Sequence, residues 1–265
     1  MIPFNFHTHT TFSDGIDTPE QMVLAAMQKE FEAIGITDHS FTPFDTTYCM
    51  QEKNVPVYIK TLRALKKKYA GKIEIYCGIE QDLFSDCDTR PFDYVIGSVH
   101  YIKVNGAFYP VDETKDKQLE CIEKLFGGDR IAYAKAYYEQ VEQMAKQRPT
   151  MIGHFDLLTK FGLFDDLGAD YEAIAASSMR RVLKTVPIIE VNTGAMARGY
   201  RKTPYPAAFL LRTVRECGGE VVLSSDCHDA RQLDYAFDAT CTELKNAGFS
   251  HVLRFCEHGW ERRSI

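Results

Sequence analysis

Along the chain, short runs of apolar residues alternate with longer stretches in which apolar positions recur every three or four residues. Runs of the first kind suit strands buried on both faces of a parallel sheet, and stretches of the second kind suit the amphipathic helices that cover it. The strand-like runs are Phe4 to His7, Ala33 to Thr37, Ile73 to Ile79, Tyr94 to Val99, Thr150 to Gly153, Ile188 to Val191 and Glu220 to Leu223. Helical patterns fall near 55–69, 115–126, 130–147, 170–184, 205–216 and 232–246, and Thr18-Pro19-Glu20-Gln21 marks a further helix start. There Thr18 can cap the first amides, Pro19 fits the first turn and Gln21 completes a capping box. The alternation predicts an α/β fold, and seven parallel strands fit an irregular (β/α) barrel better than an open sheet. No repeat, low-complexity tract or Pro/Ser-rich linker divides the chain, so residues 1–265 are expected to form one domain. Lys66 to Lys68 read as a solvated helix end, and the tail from Arg254 to Ile265 as a closing strand and surface end.

Composition narrows the function classes. With 265 residues and 45% hydrophobic content the chain can bury a large core. A net charge of −6 argues against a nucleic-acid or membrane-surface partner, since such proteins carry a basic face, and favours a small-molecule substrate. No 18-residue apolar run and no signal-peptide pattern is present, so a cytoplasmic protein is expected. The eight cysteines form no CxxC pair and read as reduced thiols. Only Cys227, between Asp226 and His228, lies beside candidate chemistry, and strand alternation turns its side chain away.

That chemistry sits where the apolar runs end. His7 and His9 are two apart, so both rings leave one face of a strand and can converge on one metal ion. Asp14 follows in a Ser-Asp-Gly turn, Asp38 and His39 end the second run, and Glu80, His100 and His154 close the third, fourth and fifth. Asp226 and His228 close the seventh. In parallel α/β folds this rim is where loops converge on a site. A single strand-end histidine is as often a hydrogen-bonded structural residue as a ligand, whereas six of the eight histidines at strand ends make a set. His251 and His258 lie outside it. Nine nitrogen and carboxylate ligands without a thiolate suit two or three divalent transition-metal ions, with zinc, manganese and iron all acceptable. Paired ions position and deprotonate water while neutralising phosphoryl oxygens.

The motifs FHTHTTFSDG, GITDHS, GIEQD, GSVHY, GHFD, EVNTG and SSDCH together resemble the polymerase and histidinol phosphatase superfamily, and within it the stand-alone histidinol-phosphate phosphatases. The resemblance spans nearly the whole chain and implies a distorted seven-stranded (β/α) barrel of the TIM type. It implies three metal positions: His7, His9, Glu80 and Asp226 at the first; Glu80, His100 and His154 at the second; Asp14, His39 and His228 at the third. The implied reaction is hydrolysis of the phosphate monoester L-histidinol phosphate in histidine biosynthesis, with a metal-bound hydroxide as nucleophile. Arg198, after the sixth strand, and Lys160, just past His154, lie on the rim side and are candidate phosphate contacts, with Arg201 and Lys202 weaker ones. Rival expectations are a family phosphoesterase acting on a nucleotide or phosphotyrosine, and a non-catalytic barrel stapled by its ions.

Overall fold

The computed structural model describes residues 2–265. The chain begins with β1 (Phe4–Asn5), α1 (Pro19–Gln28), β2 (Ala33–Ile36), α2 (Val55–Lys68), β3 (Glu74–Asp82) and β4 (Tyr94–Ser98). Next come β5 (Tyr101–Val104), β6 (Ala107–Pro110), α3 (Lys115–Phe126), α4 (Arg130–Lys146), β7 (Met151–Ile152) and α5 (Gly168–Val182). The last third holds β8 (Ile188–Asn192), α6 (Gly194–Ala197), α7 (Ala208–Glu216), β9 (Glu220–Ser224), α8 (Phe237–Asn246), β10 (His251–Cys256) and β11 (Gly259–Ser264).

Seven strands pair in parallel in the order β1-β2-β3-β4-β7-β8-β9. The ladders of β1 and β9 stop short of each other, but just beyond them Thr8 pairs with Cys227 in parallel, and His9 N donates to Cys227 O at 2.9 Å. The sheet is thus a nearly closed barrel, joined at its carboxyl rim. Continuous apolar runs such as Ala33–Ile36 are buried throughout, as strands covered on both faces require. Thr18 caps α1 as the sequence implies, with Gln21 N donating to Thr18 Oγ1 at 3.3 Å and Thr18 N to Gln21 Oε1 at 2.9 Å.

The amino end of the barrel is filled by aromatic rings. Phe255 and Trp260 lie 6.3 and 6.1 Å from Phe6, and Phe255 lies 4.9 and 5.1 Å from Tyr76 and Tyr94. Tyr94 crosses the strands over Gly35 and Gly78, where an added Cβ would meet its ring atoms at under 3 Å, and it donates to Phe6 O at 2.7 Å. The tail is therefore not a closing strand. β10 and β11 form an antiparallel hairpin that covers the bottom through Phe255 and Trp260, which pair across it with ring centroids 5.0 Å apart. A second hairpin, β5 with β6, departs from the expected pattern just after His100. Its turn is Asn105-Gly106, both at positive φ. The seventh helical pattern starts later than expected, at Phe237, because Ala236 is left-handed at φ 58°. Among the described residues no helix is long and apolar enough to cross a membrane.

Candidate metal centre

All nine sequence-predicted ligands converge at the carboxyl rim. His7 and His9 present Nε2 3.6 and 3.1 Å from Asp226 Oδ1, and 3.3 and 3.5 Å from Glu80 Oε2. Glu80 is the hub. Its Oε2 is 2.8 Å from His39 Nδ1, and its Oε1 is 2.8 Å from His154 Nε2 and 3.4 Å from His100 Nε2. Asp14 Oδ1 lies 3.2 Å from His228 Nε2 and 3.7 Å from His39 Nε2. His39 is therefore placed differently from the implied set, which gave it to the third position alone: its two nitrogens face Glu80 on one side and Asp14 on the other. Compact groups of ligand atoms are His7, His9 and Asp226; His39, Glu80 and His100; and His9, Asp14, His39 and His228.

The atoms fit metal ions on their own evidence. His7 Nε2, both ring nitrogens of His9 and Glu80 Oε2 are buried with no hydrogen-bond partner. Leaving a polar atom so costs about 1–3 kcal/mol each, a cost that a cation accepting their lone pairs removes. Burial, reinforced by His228 and His39, pushes the His9 ring down to about 3, so it is neutral and able to ligate at neutral pH. Burial would raise the Glu80 carboxyl, but His39, His7 and His100 overcome it and hold it well below the usual range. Asp226 is treated alike: burial opposes, and Arg198 and His7 hold it ionised. Nitrogen and oxygen donors without a thiolate match zinc, manganese or iron.

Behind these residues lies a second layer, of which only Asp38 stood out in the sequence. Glu190, fully buried in β8, accepts from His7 Nδ1 at 2.5 Å, from Ser224 Oγ, from His154 N at 2.8 Å and from Asn192 Nδ2 at 3.0 Å. Its one signal was a carboxylate inside the apolar run IIEV. Asp82 accepts from His100 N at 3.0 Å. Asp38 accepts from Thr10 N, Thr10 Oγ1, Ser13 N and Ser13 Oγ, anchoring the turn that carries Asp14.

The cluster opens into a pocket of about 610 Å³, reached by Asp14, His39, His100, His154, Asp226 and His228. Lys160 and Arg198 line the same pocket, and both are engaged. Lys160 Nζ donates to Asp112 O at 2.7 Å and Oδ2 at 3.0 Å, while Arg198 binds Asp226. Arg201 instead bonds Thr159 and stacks 4.5 Å from the Tyr205 ring centroid, and Lys202 is exposed, so neither reaches the pocket wall. Cys227 turns away as expected, buried in the apolar cluster with Met22 and Ile34. His251 binds Glu220 at 2.7 Å and His258 is exposed.

Known proteins resemble the chain over most of its length. The chain is 29% identical over 259 residues to a Deinococcus radiodurans protein named "Probable histidinol-phosphatase", covering 91% of this chain and 92% of that one. It is 24% identical over 257 residues to the histidinol-phosphatase of Bacillus subtilis, covering 88% and 96%. The fold matches that of the histidinol phosphate phosphatase from Lactococcus lactis, solved with zinc, L-histidinol and phosphate, with a TM-score of 0.74 at 21% identity over 97% of this chain and 98% of that one. The PHP domain family matches residues 5–194, which hold most of the barrel and seven of the nine ligand residues, from His7 to His154, and the chain belongs to that family.

Proposed function

We propose that this chain is a metal-dependent phosphatase that hydrolyses L-histidinol phosphate to L-histidinol and phosphate, acting as one unit over residues 1–265. The observation that carries the reading is the convergence of nine ligand residues, five of them histidines that face Glu80, beside an open pocket. Sites that merely staple a fold are closed shells. Here Asp14 and His228 side chains are 34% and 25% exposed, so part of the cluster faces incoming substrate. The relatives bearing histidinol-phosphatase names support the substrate.

Two to three zinc, manganese or iron ions would be held by His7, His9, Glu80 and Asp226, by Glu80, His100, His154 and the near ring nitrogen of His39, and by Asp14, His39 and His228. Bound there, such ions polarise the phosphoryl oxygens and lower the pKa of water. The chain's own residues prepare the rest. Glu190 and the Asp226 carbonyl fix the rings of His7 and His228, so that the opposite nitrogens point into the cluster. Lys160 brings positive charge to the wall, which attracts a phosphate dianion and stabilises charge spread over its oxygens, whereas Arg198 is turned onto Asp226. Asp45 and Glu113 line the outer wall, carboxylates suited to an ammonium group on the same small substrate. The Tyr48 ring, 4.9 Å from His39 and 6.1 Å from His100, forms part of the pocket wall beside the cluster. Eight free cysteines agree with a reducing, cytoplasmic setting.

The test is hydrolysis of L-histidinol phosphate against a nucleotide monophosphate, phosphotyrosine and a dinucleotide, with elemental analysis of the same protein. A preference for L-histidinol phosphate with two to three ions per chain is expected. Equal rates on a nucleotide would refute the substrate, and one ion or none in protein never exposed to chelator would refute the centre.

A further inference from the structure

Asp226 is one of the few non-glycine residues in the left-handed region, at φ 47°. That backbone turn makes the residue face two ways. Its Oδ1 lies 3.1 Å from His9 Nε2 in the cluster, and its carbonyl accepts from His228 Nδ1 at 3.1 Å, which leaves His228 Nε2 facing Asp14. One side chain grips both halves of the turn. Arg198 Nη1 donates to Asp226 O at 3.0 Å, and Nη2 donates to Asp226 Oδ2 at 3.1 Å. The short helix α6 delivers the arginine, and its first residue leaves the space. An added Cβ at Gly194 would meet Arg198 Nη2, Asp226 Oδ2 and Ser225 O, each at 2.9 Å. A backbone carbonyl cannot move aside as a flexible side chain does.

We infer that Arg198 is a positioning residue: its guanidinium holds Asp226 in the left-handed turn, and thereby sets both the Asp226 carboxylate beside His7 and His9 and the His228 ring beside Asp14. This rests on the metal-centre reading above. It differs from a direct phosphate contact, because the fork of Nη1 and Nη2 is turned onto Asp226, with Nη1 also 3.3 Å from His228 Nδ1. The planar fork spans a carbonyl and a carboxylate at once, a geometry that an ammonium cannot reproduce. Loss of such a supporting contact weakens metal affinity by roughly 10- to 100-fold.

The experiment compares wild type, Arg198→Ala, Arg198→Lys and Gly194→Ala. Metal-free protein is loaded with zinc, and affinity is read by competition with a chromophoric chelator. kcat, KM and inhibition by inorganic phosphate are measured at saturating zinc. The expected result is zinc affinity at one or more positions weakened about 10- to 100-fold in Arg198→Ala. A similar loss is expected in Gly194→Ala, where the arginine is present but displaced, and only partial recovery in Arg198→Lys. With zinc saturating, the phosphate inhibition constant of Arg198→Ala should stay within about threefold of wild type, a change of under about 0.7 kcal/mol. Zinc affinity unchanged in Arg198→Ala, with phosphate inhibition and KM weakened, would overturn the inference and make Arg198 a phosphate contact. Neither quantity changing would overturn it also, leaving a solvated loop residue. Should Gly194→Ala lose the far-ultraviolet dichroism of metal-free wild type, the two Arg198 variants decide alone. Wild type that binds no zinc would instead remove the metal centre itself, an outcome separate from the failure of the arginine.

Discussion

Replacing Glu190 by Gln tests whether a carboxylate that no ion touches controls how tightly ions are held. The change keeps shape and volume but turns one oxygen into an NH2 group. In the structure both oxygens accept only: Oε1 from His7 Nδ1 and Ser224 Oγ, Oε2 from the His154 amide and Asn192 Nδ2. If the NH2 faces the His154 amide, a backbone donor that cannot invert meets another donor. Leaving a buried donor without a partner costs about 1–3 kcal/mol. If it faces His7, Ser224 can rotate its hydroxyl, and the His7 ring can shift its proton from Nδ1 to Nε2. That proton then sits on the nitrogen aimed at Glu80 and Asp226, 3.3 and 3.6 Å away, and must leave before a metal binds. Either way zinc affinity should fall about 10- to 100-fold, or about 1.4–2.7 kcal/mol, and metal-free stability by about 2 kcal/mol. The assays are chelator competition for affinity and urea denaturation of metal-free protein for stability. Affinity within about threefold of wild type, a difference of under about 0.7 kcal/mol, would refute the reasoning and make Glu190 a satisfied core residue.

The other expectations concern separate parts of the molecule. Chelation should abolish phosphatase activity and added zinc, manganese or iron restore it, while Glu80→Gln, which removes the shared carboxylate, should lower kcat by roughly 100-fold or more with folding retained by circular dichroism. Lys160→Ala leaves Asp112 unpaired against an incoming dianion, so KM for L-histidinol phosphate should rise about tenfold with metal content unchanged by elemental analysis. Phe255→Ala hollows the aromatic floor and should cost about 2–3 kcal/mol in urea denaturation while kcat/KM holds within about threefold, since the floor lies at the barrel end opposite the cluster. Burial pushes the Cys227 thiol up to about 12, so at pH 8 it stays protonated and unreactive, and exposed Cys217 should be alkylated first, as peptide mass spectrometry would show.

What the sequence disclosed follows from which interactions are local. A strand end that must ligate a metal shows as a histidine or carboxylate where an apolar run stops, and the run and its stop are adjacent in the chain. His100 after IGSV and His154 after MIG are legible for that reason. Asn105-Gly106 was equally local, a two-residue hairpin signal within YIKVNGAFYP, and was obscured because the run leading to it continues out of the fourth strand. The roles of Glu190 and Arg198 are another matter. Glu190 meets His7 across 183 positions, and Arg198 meets Asp226 across 28, so nothing near either residue names its partner. Barrel closure at Thr8 and Cys227 creates the first meeting, by bringing the first strand beside the last. The second needs a left-handed backbone at Asp226 and a missing side chain at Gly194, two features that a residue string holds only as the letters D and G. Ligand identity is thus written along the chain, whereas ligand orientation, on which affinity turns, arises only from contacts that the closed barrel makes.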